Sequence, residues 1–238
     1  MQVQIISIVI PVYNEEKNLP LLLKGLATVM DKTQKTYEII FVNDASTDKS
    51  LETLKKLDSE YPHLRIISFS KNCGQSAAFD AGFKLSRGEI VVTLDADLQY
   101  DPRDIPRLLE KIRYYDVVCG WRKNRRDPWL KLVSTKVANG LRNRLSGENI
   151  KDTGCSLKAF RKCFLSEIKM YKGMHRFLPT LLKMQGAKVT EIEVRHLPRK
   201  YGRSKYNIRN RIFRSFADLL AVIWMKKRNL NYKMEVIK

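Results

Sequence analysis

The sequence predicts a single α/β domain on a mostly parallel central sheet, and three observations carry that reading. Apolar, β-branched runs of strand length alternate with segments of helical period, which is the pattern of βαβ crossovers. Each strand-like run ends in a polar loop, where open parallel sheets keep their ligand sites. The 238 residues, 44% hydrophobic and 29% charged, suffice for one core burying roughly 70% of the unfolded surface, with no second full domain.

The first element is Ile5–Val12, a continuous apolar run read as a buried strand, and the loop Pro11–Glu16 follows it. Leu19, Leu22, Leu23 and Leu26 mark a helix face. Tyr37–Val42 repeats the strand signal, and Leu51, Leu54 and Leu57 mark the next helix. Leu64–Phe69, the helix Ser76–Leu85 and the strand Ile90–Leu94 complete the regular part. Beyond Val117-Val118 the expected elements are a basic amphipathic helix Trp129–Leu145, a strand Cys155–Phe160, a helix His175–Met184 and a strand Val189–Val194. Pro198–Tyr206 reads as a mobile loop rich in Arg, Lys and Gly. Ile208–Met225 reads as an amphipathic helix closed by Lys226-Lys227-Arg228. The predicted division is a catalytic domain over residues 1–206 and a membrane-interface helix with a basic tail over 207–238.

Forty-five Lys and Arg against 25 Asp and Glu leave a net charge of +20, most of the positive residues lying after Arg103. That charge favours an anionic partner without naming it. Cys73, Cys119, Cys155 and Cys163 show no zinc-ligand spacing, and a reduced cytosolic setting is the simpler reading. No basic n-region or cleavage pattern opens the chain, and no stretch approaches the ~20 apolar residues that cross a bilayer. A nucleic-acid binder would use the same charge, but no helix-turn-helix, RRM or zinc module is present, so no nucleic-acid partner is expected.

The chemistry concentrates at Asp95-Ala96-Asp97, directly after an apolar strand. Alternation in extended chain puts both carboxylates on one side, where they repel unless a cation lies between them. Mg²⁺ or Mn²⁺, completed by substrate phosphates and water, meets that need, and Gln99 offers a further oxygen. These acids are not required as caps, because Asp101-Pro102 already supplies an N-cap with Pro at the first helical position. Asp44 follows the second strand as a candidate acceptor for a base N–H, while Ser46, Thr47 or Asp48 caps the next helix. Asn14 reads as a cap and Tyr13 as a stacking or ribose contact.

Ile10-Pro11-Val12-Tyr13-Asn14-Glu15, Asn43-Asp44-Ala45-Ser46-Thr47-Asp48, Asn72-Cys73-Gly74-Gln75 and Asp95-Ala96-Asp97-Leu98-Gln99 with Asp101-Pro102 resemble, in order and spacing, the family 2 glycosyltransferases. The implied fold is a single GT-A, Rossmann-like domain with C-terminal amphipathic helices. The closer resemblance is to the polyprenyl-phosphate branch, which includes dolichol-phosphate mannose synthases and bacterial undecaprenyl-phosphate glycosyltransferases. Gly120-Trp121-Arg122, Asp152-Thr153-Gly154 and Arg199-Lys200-Tyr201-Gly202-Arg203-Ser204-Lys205 look like its later motifs, so the likeness runs from residue 5 to about residue 206.

The resemblance implies donor contacts at Pro11, Tyr13, Glu15 and Asp44, and metal and diphosphate contacts at Asp95, Asp97 and Gln99. Arg199 and Lys205 would close on the donor diphosphate. Arg122 would face the acceptor phosphate with Lys131 and Ser134, and Asp152 would lie near the sugar or acceptor, orienting rather than deprotonating. The implied activity is metal-dependent inverting transfer of a hexose-type sugar from GDP-mannose or a UDP-sugar to a polyprenyl phosphate, without a covalent enzyme intermediate. A soluble transferase acting on a saccharide or protein is the alternative.

Peripheral attachment to an anionic membrane surface at its cytoplasmic face is expected. Ile212, Phe213, Phe216, Leu219, Leu220, Val222, Ile223 and Trp224 would form the apolar stripe, with Arg209, Arg211, Arg214 and Asp218 opposite. A separate transmembrane subunit or a homo-oligomer would be its partner. The competing reading packs that stripe on the protein's own core.

Overall fold

The computed structural model describes residues 5–123, 150–201, 208–230 and residue 235. One seven-stranded sheet forms the centre, in the order β3-β2-β1-β4-β6-β5-β7. The strands are β1 (Ile6–Val12), β2 (Tyr37–Asn43), β3 (Leu64–Ser68), β4 (Ile90–Thr93), β5 (Val117–Trp121), β6 (Lys158–Arg161) and β7 (Val189–Glu193). β1, β2, β3 and β4 pair in parallel, as do β5 and β7. β6 runs antiparallel to both of its neighbours, Thr93 facing Lys158 and Val117 facing Phe160.

The helices are α1 (Leu19–Asp31), α2 (Ser50–Asp58), α3 (Gln75–Leu85), α4 (Ile105–Lys111), α5 (Lys162–Ser166), α6 (Leu178–Met184) and α7 (Ile208–Arg228). Alternation along the strands sends side chains to two separate cores. Ile6, Ile8, Ile10 and Val12 of β1 bury against Leu22, Leu23 and Leu26 of α1 and Leu108 of α4. Val9, Val91 and Phe160 bury on the other face against Phe79 and Phe83 of α3 and Leu182 of α6. The result is three layers, with strands apolar on both faces, which explains their unbroken apolar runs. Gly82 lets α3 lie close on β1, since a Cβ there would stand 2.2 Å from Val9 Cγ1.

Several expected boundaries move for physical reasons. The sixth strand begins at Lys158 rather than Cys155, because Asp152–Leu157 folds as a turn whose Ser156 serves two neighbours. Ser156 N–H donates to Tyr100 Oη at 3.1 Å and Ser156 Oγ accepts the Asp95 N–H at 3.0 Å. The expected helix His175–Met184 divides into a 3-10 turn, Met174–Arg176, and α6, whose first turn contains Pro179. Asp101 caps as expected, accepting the Arg103 N–H at 3.0 Å, but Pro102 opens a 3-10 turn that runs into α4. The expected helix Trp129–Leu145 lies outside the described residues.

α7 spans the expected segment, and its apolar residues divide between two faces. Leu219 and Val222 are buried with Met174, Phe177 and Leu181, while Leu220 (49% exposed) and Trp224 (63%) face outward. Asp218, expected opposite the apolar stripe, instead lies over Gly173, where a Cβ would come within 2.2 Å of its Oδ2. The side chains of residues 208–216, among them Ile212, Phe213, Phe216, Arg209, Arg211 and Arg214, lie outside the described residues.

Gly82→Ala forces an extra carbon into the α3–β1 contact and is expected to destabilise the protein by about 1–3 kcal/mol. Urea denaturation would show this as a lower midpoint at unchanged slope.

Candidate active site

The strand order reverses between β1 and β4, so the loops leaving their carboxyl ends diverge and open a crevice. Three of the loops at this end carry a residue at positive φ that is not glycine: Asn14 (55°), Ala45 (52°) and Leu98 (59°). Each such residue costs on the order of 1 kcal/mol or more, and such strain concentrates at functional sites.

The first two loops are zipped together. Asn14 Oδ1 accepts the Thr47 N–H at 2.7 Å, and the Asn14 N–H donates to Ser46 Oγ at 3.0 Å. The Glu15 N–H donates to Ser50 Oγ at 2.8 Å, and Asp48 accepts the N–H groups of Glu16 and Ser50. Asn14 is therefore a bridge between loops rather than a helix cap, and Asp48 is the acid that meets the start of α2. Pro11 is partly exposed at the end of β1 and Tyr13 stands at the surface beside it.

Asp44 is buried, and its carboxylate accepts the N–H groups of Cys73 (2.6 Å) and Gly74 (2.8 Å). Its main-chain carbonyl accepts from Asn72 Nδ2. The expected base-reading carboxylate thus ties the loop after β3 to the loop after β2.

Asp95 and Asp97 follow β4 as expected. Asp95 Oδ1 accepts a hydrogen bond from Gln75 Nε2 at 2.7 Å. Burial, then the neighbouring Asp97 charge, push the Asp95 carboxyl up to about 6, against the pull of Ser156, Arg122 and Lys158. Burial raises Asp97 as well, opposed chiefly by the Arg199 guanidinium. Arg199 Nη2 donates to Asp97 Oδ2 at 2.6 Å and to Gln99 Oε1 at 3.4 Å, while its Nη1 lies 4.0 Å from Glu15 Oε1. One guanidinium thereby joins three expected site residues from two loops, and the Gln99 N–H closes on Asp97 Oδ1 at 3.2 Å.

Arg122 and Asp152 meet as a bidentate pair, Nε to Oδ2 at 2.7 Å and Nη2 to Oδ1 at 2.9 Å. Both side chains are close to buried, at 10% and 3% exposure. The guanidinium carbon lies 5.8 Å from the centre of the buried Tyr100 ring. Two expected site residues thus form one ion pair, in which Arg122 Nη1 takes no part. Lys131, Ser134 and Lys205 lie outside the described residues.

Sequence reasoning missed two participants. Gln75 was visible only as part of a motif, and its reach to Asp95 appears once α3 is placed. Lys158, 4% exposed on β6 opposite Thr93, exerts a charge pull on Asp95 and donates to Thr153 O at 3.3 Å. A lone lysine in a strand-like run gave no signal.

The residues present suit a hard divalent cation in one respect: two carboxylates converge on one loop, and each is raised by burial and by neighbouring acid charge. Among the described residues no group of three or more His, Cys, Asp or Glu side chains is arranged to hold a metal. Such a cation would take its remaining oxygens from phosphate and water.

Comparison with known proteins places the chain in a family and a fold. The chain is 37% identical over 228 residues to the dodecaprenyl-phosphate galacturonate synthase of Rhizobium johnstonii, covering 93% of this chain and 67% of that protein. It is 38% identical over 209 residues to the undecaprenyl-phosphate 4-deoxy-4-formamido-L-arabinose transferase of Edwardsiella ictaluri, covering 87% and 64%. The chain thus spans about two thirds of the length of these relatives. Among solved structures, glucosyl-3-phosphoglycerate synthase from Mycobacterium tuberculosis, in complex with Mn²⁺, UDP and glucosyl-3-phosphoglycerate, superposes with a TM-score of 0.71 at 16% identity, covering 96% of this chain and 81% of that one. A Pyrobaculum calidifontis mannosyltransferase in complex with GDP-Man and Mn²⁺ gives 0.66 at 18%, covering 95% and 65%. Both share the fold. The Glycosyl transferase family 2 profile matches residues 7–169, which take in β1 to β6 and the acid pair, and the chain belongs to that family.

Proposed function

We propose that this protein transfers a hexose-type sugar, with inversion, from a nucleotide diphosphate donor, GDP-mannose or a UDP-sugar, to a polyprenyl phosphate at the cytoplasmic face of a membrane. The observation that carries the reading is the acid pair Asp95 and Asp97 at the switch point of the sheet, with Arg199 already hydrogen-bonded to it. The names of the two relatives, both transferases or synthases of polyprenyl phosphates, support the acceptor.

Asp95 and Asp97, with Gln99 beside them, would hold Mg²⁺ or Mn²⁺, and two structural neighbours contain Mn²⁺. When bound, the ion would neutralise charge on the departing nucleoside diphosphate. Arg199, with Lys205 from the same segment of chain, binds the diphosphate oxygens as the glycosidic bond breaks. Pro11, Tyr13 and Glu15 line the nucleotide's side of the crevice. Asp44 acts there by holding the Asn72–Gly74 backbone in place.

The Arg122–Asp152 pair favours a phosphate acceptor over a hydroxyl. A sugar or protein hydroxyl needs a general base, whereas the Asp152 carboxylate is engaged at both oxygens by one buried guanidinium. A lipid phosphate arrives ionised and needs none. Asp152 then orients Arg122, whose Nη1 meets the acceptor phosphate with Lys131 and Ser134.

The membrane face is assigned to the outward side of α7. Leu220, Trp224 and Leu230 are exposed next to Lys226, Lys227 and Arg228, an apolar and basic combination suited to an anionic headgroup layer. No helix among the described residues is long and apolar enough to cross a membrane. A separate transmembrane subunit or a second copy of the chain would strengthen that attachment.

Incubation with labelled UDP- and GDP-sugars is expected to give organic-extractable product only when a polyprenyl phosphate and Mn²⁺ or Mg²⁺ are both present. Transfer that persists in chelator, or that never depends on lipid phosphate, refutes the reading. Asp97→Ala should abolish turnover and the metal-dependent rise in Tm caused by donor, while leaving circular dichroism unchanged. In metal-free protein the raised Asp95 pKa, about 6 against an ordinary 3.8, carries a stability cost on the order of 3 kcal/mol, shared with Asp97. The cost is complete above the folded value and gone below the unfolded one. Asp95→Asn with chelator present should therefore raise Tm at neutral pH by roughly 6–12 °C, and calorimetry should show the gain disappearing as pH falls through the window between those two values. Trp224→Glu should release the protein from vesicles containing phosphatidylglycerol, read by co-sedimentation.

A further inference from the structure

The two members of the acid pair are held by different chemistry. Asp97 meets a cation, Arg199, whereas the hydrogen bond to Asp95 Oδ1 comes from a neutral amide, Gln75 Nε2 at 2.7 Å. The difference matters for a carboxylate that must serve a divalent ion. A lysine or arginine at position 75 would fix the carboxylate but also supply the positive charge that the ion brings. A glutamine fixes its rotation without adding to the cationic pull that Arg122 and Lys158 already exert. Donors of this kind, one step out from a metal, set ligand direction and change metal affinity when removed.

Gln75 is itself fixed from two sides. It is the first residue of α3, entered through Gly74, and the N–H groups of Cys73 and Gly74 are bound by Asp44. On the other side Ser76 Oγ accepts the Gly173 N–H at 3.0 Å and shares a hydrogen bond of 2.7 Å with His175 Nδ1. The His175 ring also lies 6.0 Å from that of Phe79, one turn further along α3. These contacts clasp the start of α3 to the turn at residues 173–177, nearly a hundred residues away in sequence. The same turn seats α7: Met174 and Phe177 bury with Leu219 and Val222, and Gly173, at φ +84°, leaves room for the Asp218 carboxyl.

We propose that Gln75 is a positioning residue for the acid pair, fixing the Asp95 carboxylate in the orientation that receives a divalent cation and the donor diphosphate, and that the Ser76–His175 clasp holds Gln75 there. The assignment rests on the reading of Asp95 and Asp97 as the cation site. It also gives the packing of α7 a route to the chemistry, through the 173–177 turn, Ser76 and Gln75 to Asp95.

The test is Mn²⁺ binding by the full chain with UDP or GDP present, followed by the electron paramagnetic resonance signal of free Mn²⁺. Gln75→Leu, similar in size and without a donor, is expected to weaken Mn²⁺ binding roughly 10–100-fold with Tm in chelator nearly unchanged. Gln75→Met carries the same test if the leucine variant does not fold. Ser76→Ala is expected to weaken binding in the same direction but less, and to add nothing when combined with Gln75→Leu, because both act through one amide. Undiminished Mn²⁺ affinity in the Gln75 variants overturns the role of Gln75, and full additivity in the double variant overturns the clasp. Failure of the unaltered protein to bind Mn²⁺ with either nucleotide would sink the cation site itself. Normal binding there, with indifferent Gln75 variants, sinks only this inference.

Discussion

Two carboxylates that repel each other at the end of β4 set the terms for everything around them. Burial raises both acids by withdrawing water from them, Asp95 further through the Asp97 charge and Asp97 further through Glu15. The surroundings answer with charge and dipoles from distant parts of the chain. Arg199 comes from the segment after β7, Lys158 from β6, Gln75 from the start of α3 and Ser156 from the turn before β6. The cost of keeping such a pair is borne by the whole fold, because no single element supplies more than one of these partners.

The parallel half of the sheet was legible in the sequence for a simple reason. Helices cover both faces, so β1, β2 and β4 had to be apolar throughout, and runs such as Ile39-Ile40-Phe41-Val42 have little alternative in a chain of this composition. The acid pair was legible because Asp101-Pro102 already met the needs of the following helix, which left Asp95 and Asp97 without a local duty. Loops hid more. Asp44 reads as a ligand-facing acid until its backbone partners at Cys73 and Gly74 are seen, and Asn14 reads as a cap until its bridge to Thr47 is seen. In each case the partner is about thirty residues away, beyond what local spacing can report.

The later half shows where pattern fails altogether. Arg122 and Asp152 each belonged to a recognisable motif, yet nothing in either motif states that they neutralise one another. The antiparallel β6 brings this about, since its insertion between β4 and β5 places the Asp152 turn beside both the acid pair and the end of β5. α7 gives the opposite lesson. Its period was read correctly, but one side of the helix is packed and another exposed, and amphipathicity alone cannot divide the apolar residues between core and surface.

The Arg199–Asp97 contact has a kinetic side. Any dication arriving at Asp97 must compete with a guanidinium that is already seated, so measured affinity falls short of intrinsic affinity by the fraction of time the acid is vacated. The displaced arginine remains tethered nearby as a counter-ion in search of oxygens. On the proposed reading, departure of the nucleotide and its cation would leave Asp97 open again to this side chain.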